Sequence, residues 1–178
     1  MRIRPVLAAS FSVAILAATS LTAAAPASAS TLDVTCAGSA NATYSPALTA
    51  TSQTVTTSRS FDYEPCVSTS VPALTSGGVS FSYTAPGFSC LDLLGSGTVH
   101  KTITWNTGQT SAITGQRVSS VAGATTTTVI TGQVTAGLFA GDSVVDTEVG
   151  PATSILTCDL GLGTVPGLTT TLLLEITS

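Results

Sequence analysis

The sequence has few charged residues, few aromatic residues and a single histidine. Charged side chains make up 8% of the 178 residues and aromatic side chains 5%, with one tryptophan. With His100 as the only imidazole and no Cys-x-x-Cys pair, the usual ligand sets of structural zinc are missing. There is no Gly-x-Ser-x-Gly motif, which excludes the nucleophile elbow of α/β-hydrolases. The sequence therefore predicts no catalytic residue, no metal site and no cofactor.

A long apolar run occurs only at the N-terminus, where it has the form of an export signal. Arg2 and Arg4 precede VLAASFSVAILAATSLTA, and ASA at residues 27–29 has the small-x-small pattern of a cleavage site. We predict a signal peptide at residues 1–29 and a single secreted β-sandwich domain at residues 30–178. Cleavage after Ala27 is the alternative. No later run is long enough to span a membrane, so we expect no transmembrane segment in the mature chain.

The mature chain is acidic. Without Arg2 and Arg4, the basic residues are Arg59, Lys101 and Arg117. Against nine carboxylates, these three give a formal charge of 3 − 9 = −6. Nucleic acids and anionic membrane surfaces would repel such a chain, so we expect no nucleic-acid partner. β-branched residues occur throughout, which is not typical of disordered chains.

Four cysteines in an exported chain predict two disulfide bonds. They are Cys36, Cys66, Cys90 and Cys158, and three connectivities are possible. We expect the sequential pairing, Cys36 with Cys66 and Cys90 with Cys158. It closes one short loop near the N-terminus and cross-links the larger remainder.

Alternation with a period of two dominates the sequence. In VSFSYTA, the side chains of Val79, Phe81 and Tyr83 point to one face of a half-buried strand. QTVTTSRSFDY and TLLLEIT show the same pattern, and glycine-containing turn signals separate such runs. We predict an all-β fold, a two-sheet immunoglobulin-like β-sandwich of about seven to nine strands with two disulfides. A closed barrel is the alternative.

The stretch GTVHKTITW holds the only tryptophan and the only histidine. Val99, Ile103 and Trp105 share one face with Lys101, which predicts a core position for Trp105 near the end of a sheet. A sugar-stacking platform is the alternative. His100 falls on the opposite, polar face, so we expect a solvent-facing side chain rather than a general base.

The densest acidic group is Asp142, Asp146 and Glu148. Asp146 and Glu148 alternate as exposed strand residues do, although a glycosidase pair or a weak Ca²⁺ site are alternatives. The segment DYEPCV at residues 62–67 is the candidate loop of a protease inhibitor, since Pro65 and a bridged Cys66 would stiffen it. A strand end that turns a corner is the other interpretation.

Several stretches carry a family resemblance. TCAG, YSPALT, SCLDLLGSGT, TITWNTGQTS and GQVTAGLFAGD, in this order, resemble a family of small secreted actinobacterial, Streptomyces-type proteins of unknown function. The resemblance implies an exported β-rich domain and no catalytic residue. The broad class is also similar to the enediyne-binding apoproteins, but their cysteines form short local loops, unlike the wide spacing here.

We therefore expect a secreted, non-catalytic binding or structural module. Its partner would be a protein, a wall polymer or a small hydrophobic ligand, and a secreted hydrolase or protease inhibitor is the alternative. For partner binding, the turn AGLFAGD offers Leu138 and Phe139 as an exposed apolar tip. The other interpretation is that Phe139 folds back onto the end of the fold.

The cleavage site can be tested directly. We expect the protein recovered from the culture medium of an expressing bacterium to begin at Ser30, because residues 27–29 fit the signal-peptidase pattern. N-terminal sequencing together with the unreduced intact mass checks this. A start at any residue other than Ser30 or Ser28 would contradict the assignment.

Overall fold

The structure, a computed structural model, describes residues 31–178; the predicted signal peptide at residues 1–29 and Ser30 lie outside the described residues. Neither of the two short helices in this part of the chain has the length and hydropathy of a transmembrane helix. The elements are β1 (Leu32–Leu48), β2 (Gln53–Ser68), β3 (Gly77–Phe88), a 3₁₀ helix (Leu91–Leu94), β4 (Gly97–Trp105), β5 (Thr110–Ala122), β6 (Thr125–Gly137), β7 (Ser143–Pro151), α1 (Thr153–Asp159) and β8 (Val165–Thr177).

The eight strands form one closed antiparallel barrel in chain order. β1 closes it, since Ala40 lies opposite Phe61 of β2 and opposite Thr170 of β8. The all-β class and the strand number are confirmed, but the two-sheet immunoglobulin-like sandwich is wrong. Both architectures alternate inward and outward residues, so the period-two pattern could not separate them. The deciding feature is the pairing of β1 with β8, which closes the sheet on itself.

The barrel interior has two apolar clusters with charged side chains between them. The first cluster includes Phe61 and Tyr63, and the second includes Val55. Along β2, the inward residues between these positions are Thr57 and Arg59. A polar layer therefore crosses the middle of the barrel, which is where the candidate site lies.

The predicted disulfide connectivity is confirmed. Cys36 is bonded to Cys66 across the β1–β2 pair, where the two residues are directly opposite. Cys90, just before the 3₁₀ helix, is bonded to Cys158 of α1. The second bond thus ties the β3–β4 connection to the β7–β8 connection, on separate parts of the barrel wall.

The predicted core position of Trp105 is also confirmed. Its side chain is 2% exposed, and the indole Nε1 donates a hydrogen bond to Ser111 Oγ at 2.8 Å. Phe139 meets the indole edge-on, with ring centroids 6.2 Å apart. A methyl group on Gly77 would lie 2.5 Å from the indole, so this close approach requires glycine. These contacts leave no free face for a sugar.

The proposed inhibitor loop at residues 62–67 is part of a strand. These residues lie within β2, where Cys66 is opposite Cys36 and Asp62 is opposite Ser39 of β1. Asp62 also pairs with Gly78 of β3. A segment that is hydrogen-bonded to a strand on either side is not an exposed loop. Residues 62–67 therefore do not form the loop that the protease-inhibitor alternative requires.

Replacing the indole should leave a large cavity. We expect Trp105→Ala to lower the free energy of unfolding by about 3–5 kcal/mol. Urea denaturation followed by far-ultraviolet circular dichroism measures the change. Leu173, which is 46% exposed, provides the control, and Leu173→Ala should change stability by less than about 0.5 kcal/mol. Unchanged stability of Trp105→Ala would contradict its packing role.

Candidate functional site

The seam between β3 and β4 opens the barrel wall. In the described chain, these two strands pair only where Gly77 meets Trp105 and Gly78 meets Thr104. β3 continues to Phe88 and pairs with β2 over nearly its whole length. Beyond Gly78 it has no partner on its other side, and the space between β3 and β4 becomes a cleft.

The inward face of β3 is uncovered at this cleft. Phe81 and Tyr83 lie opposite Arg59 and Thr57, whose side chains point into the barrel. Directly opposite residues of an antiparallel pair share a face, so the two rings also point inward. They are nevertheless 36% and 45% exposed, because β4 does not reach across them. The alternation predicted for β3 is present, but its apolar face borders solvent.

Four aromatic rings form a row from the interior to the mouth of the cleft. The order is Tyr63, Phe61, Phe81 and Tyr83, with successive centroids 6.4, 6.1 and 6.2 Å apart and the planes of successive rings within 25° of each other. The first two rings are buried, at 0% and 2% exposure, and the last two are accessible. The row thus offers roughly parallel flat surfaces to an entering molecule.

All three basic residues of the predicted mature chain line this one cleft, which has a volume of about 420 Å³. They are Arg59, Lys101 and Arg117, and the single histidine, His100, lies at the rim. Asp92 is the carboxylate among the lining residues. In a chain of net negative charge, this concentration makes the cleft the basic region of the molecule.

Two of the three basic residues have carboxylate partners inside the barrel. Arg59 Nη2 lies 2.7 Å from Glu148 Oε2, and Lys101 Nζ contacts Asp146 Oδ2. Both cations also lie over the ring of Phe61, at 4.6 and 4.8 Å from its centroid. Their charges are therefore balanced within the polar layer.

Arg117 differs from the other two, since no carboxylate in residues 31–178 forms an ion pair with it. Its Nη2 donates to the backbone carbonyls of Asp92, Leu93 and Gly95, at 3.0 to 3.3 Å. The Asp92 carboxylate accepts instead from the backbone N–H and the hydroxyl of Ser89. Burial lowers the pKa of Arg117, but a guanidinium keeps its charge in proteins. Arg117 is thus the basic residue of the cleft that forms no ion pair among the described residues.

Tyr63 joins the buried pair at the inner end of the aromatic row. Its hydroxyl accepts a hydrogen bond from Lys101 Nζ at 2.8 Å and donates one to Asp146 Oδ2 at 2.7 Å. Burial, followed by the negative charge of Asp146, raises the pKa of Tyr63 far above its usual value. The phenol therefore stays protonated between the two charged groups.

The orientation predicted for Asp146 and Glu148 is wrong. Both carboxylates point into the barrel, at 0% and 4% exposure, and the outward positions of β7 carry Val145 and Val149. Asp142 lies in the turn before β7, apart from them. No group of three His, Cys, Asp or Glu side chains suited to a metal ion occurs among the described residues. The sequence does indicate that carboxylates point inward, since Lys101 alternates in phase with an apolar face. A buried lysine requires buried carboxylates near it.

The remaining predicted residues lie away from the cleft or at its rim. Leu138 and Phe139 are half-buried and pack against the first apolar cluster. Phe139 has a φ of 66°, and its ring packs against Trp105 at the barrel end. Their docking role stays a prediction, but the exposed tip on which it depended is not present. His100 is solvent-exposed, as expected, with Nδ1 3.1 Å from Thr114 Oγ1.

Comparison with known proteins adds no assignment. No family model, no curated protein and no solved structure matches this chain. The resemblance to small secreted actinobacterial proteins therefore stays a prediction. What the cleft binds has to be inferred from its own shape and charge.

Tyr44, in the second apolar cluster, should make the fold sensitive to alkali. Burial raises its pKa from 10.0 to about 12. The folded state holds the neutral phenol, so its stabilising effect is complete below pH 10 and is lost as the pH rises toward 12. We expect Tyr44→Phe to remove about 3 kcal/mol of this alkaline loss. Urea denaturation at a series of pH values tests this, and a pH dependence identical to wild type would contradict it.

Proposed function

We propose that this chain is a secreted, non-catalytic binding module that holds a small molecule in the cleft between β3 and β4. The ligand has a planar apolar body and an anionic group. The observation that carries the proposal is the meeting of the aromatic row with all the basic residues of the mature chain. A cleft of about 420 Å³ lies within the range of small-molecule sites.

The aromatic row supports the planar body of the ligand. Phe81 and Tyr83 expose part of their rings, and these rings are nearly parallel, at 25° to each other. A flat apolar molecule that covers both would remove their apolar surface from water, at roughly 25 cal/mol per Å². Stacking geometry between aromatic groups adds about 0.5–1.5 kcal/mol.

The charge of the cleft supports the anionic group. Arg59 and Lys101 form ion pairs with Glu148 and Asp146, so Arg117 is the basic residue of the lining that has no ion pair among the described residues. A guanidinium forms charge-assisted hydrogen bonds with carboxylate, sulfonate or phosphate groups. Since Nη2 of Arg117 donates to backbone carbonyls, Nη1 or Nε would donate to the anion. An anion at this position would be attracted to the cleft and repelled by the rest of the acidic surface.

The cleft is formed before the ligand arrives, which lowers the cost of binding. β2 holds the backbone of β3 in place on one side. On the other side, Arg117 fixes the 3₁₀ helix through three carbonyl groups, and the Cys90–Cys158 bond anchors the residue before it. Neither wall needs to fold on binding.

Two matched dyes test the ligand class. Anilinonaphthalene sulfonate carries a planar aromatic body and an anion, and phenylnaphthylamine has the same body without the sulfonate. We expect the folded protein to enhance the fluorescence of both dyes and to bind the sulfonate about tenfold or more tightly. A hydrogen bond to a charged group contributes about 1.5–3 kcal/mol. Absence of binding, or equal affinity for the two dyes, would contradict the proposal.

Variants locate the dyes in the cleft. Tyr83→Ala should weaken both dyes about tenfold, because it removes the outer ring. Arg117→Lys should weaken binding of the sulfonate dye more than binding of the neutral dye, since lysine loses the guanidinium donor to the anion as well as the contacts that hold the 3₁₀ helix. Leu173→Ala, on the outer surface with an exposure similar to that of Tyr83, is the control and should bind as wild type does. If Leu173→Ala and Tyr83→Ala behave alike, the dyes bind elsewhere.

A further inference from the structure

Lys101 and Asp146 meet inside the barrel, out of contact with water. Their side chains are 1% and 0% exposed, and Lys101 Nζ contacts Asp146 Oδ2 directly. Lys101 lies on β4 and Asp146 on β7, which are not neighbours in the barrel. We propose that these two side chains condense to an intramolecular amide that cross-links β4 to β7. The proposal is independent of the ligand of the cleft.

The surroundings favour a neutral product. Ile113 lies opposite Lys101, and Ile130 and Leu174 lie opposite Asp146 on its two neighbouring strands. All three are buried. Removing an ammonium and a carboxylate from water costs free energy that their attraction does not reliably return. An amide replaces both charges with one neutral group, so burial favours the product over the ion pair.

The second oxygen of Asp146 supports the same conclusion. Asp146 Oδ1 is buried and has no hydrogen-bond partner among the described residues. An unpaired oxygen that shares a carboxylate charge is costly in a protein interior. After condensation Oδ1 becomes the carbonyl oxygen of a neutral amide, for which the missing partner costs less.

The reaction balances without any other reactant. The nitrogen Nζ bonds to Cγ of Asp146, and the bond from Cγ to Oδ2 breaks. Of the three protons on the ammonium group, one stays on the amide nitrogen. The other two leave with Oδ2 as a water molecule. No atom is oxidised or reduced, and only water is released.

Tyr63 is placed to carry the protons. Its hydroxyl accepts from Lys101 Nζ and donates to Asp146 Oδ2, at 2.8 and 2.7 Å. It can therefore pass a proton to the departing oxygen while it takes one from the attacking nitrogen. In the folded chain the two reacting groups are already in contact, and such positioning corresponds to effective molarities of about 10⁵–10⁸ M. Burial then protects the amide from hydrolysis.

The cross-link would lie on β4, the strand that borders the poorly paired seam of the barrel. β4 pairs with β3 only near Gly77 and Gly78, so β5 supplies most of its hydrogen bonds. Neither disulfide includes β4, because one joins β1 to β2 and the other joins the loop at Cys90 to α1. An amide to β7 would tie β4 across the interior to the opposite wall.

Mass spectrometry of the secreted, unreduced protein tests the proposal. We expect the intact mass to fall below that of the sequence with two disulfides by the mass of one water molecule. Lys101 is the only lysine of the chain. In denaturant, an amine-reactive reagent should therefore label one site, the N-terminus, instead of two. After reduction and alkylation, which remove the Cys90–Cys158 link between the same two peptides, trypsin should fail to cut after Lys101 and should yield a branched peptide that joins Lys101 to Asp146.

The variants separate the cross-link from an ordinary ion pair. Lys101→Met should restore the full mass, and Tyr63→Phe should show a smaller cross-linked fraction at equal times after expression. If Lys101→Met does not fold, the amine labelling and the peptide map of the wild type still decide. Full mass of the wild type, with two amines labelled in denaturant, overturns the proposal. A water loss that maps within a single linear peptide, as a succinimide would, overturns it as well.

Discussion

β4 has a full hydrogen-bonded neighbour in β5, while β3 meets it only at Gly77 and Gly78. At Gly77 this contact is fixed by Trp105, whose ring occupies the space that a side chain would need. Beyond it the strands separate, and the inward rings of β3 border solvent. The cleft and the exposed aromatic residues both follow from this short pairing.

An unpaired strand edge is a hazard, because its free N–H and C=O groups can pair with another chain. The 3₁₀ helix before β4 lies close to this edge, and Arg117 of β5 holds its carbonyl groups. A basic residue there also discourages close approach by a second strand. Arg117 thus has a structural role in addition to its proposed one, so its charge and its hydrogen bonds have to be varied separately.

The sequence predicted those features that depend on local pattern. The alternation of Val79, Phe81 and Tyr83 and the core position of Trp105 follow from period two, and the sequential disulfides are also found. The barrel was not preferred, because closure depends on β8 pairing with β1. No local pattern records that contact. The open seam is likewise a property of pairing between strands, and the sequence of β3 alone does not indicate it.

The predicted orientation of Asp146 and Glu148 was wrong for a different reason. Sequence reasoning assigns charged residues to the outside and apolar residues to the inside, and β7 reverses this assignment. The reversal is allowed because Lys101 and Arg59 supply opposite charges at the same level of the interior. Lys101 and Arg59 alternate in phase with apolar neighbours on β4 and β2, and this phase indicates that they point inward. It predicts inward carboxylates on β7 only once the strands are known to face one another across a barrel.

The charge of the cleft does not depend on whether Lys101 and Asp146 have condensed. An ion pair and an amide are both neutral overall, and Arg59 remains paired with Glu148 in either case. Arg117 remains the cation of the lining without an ion pair among the described residues, and Asp92, whose carboxylate is held by Ser89, is the carboxylate of the lining. The cross-link would therefore alter the rigidity of the inner wall and leave the attraction for an anion unchanged. A ligand that carries its charge near Arg117 and its rings over Phe81 and Tyr83 would meet the same net charge in both forms.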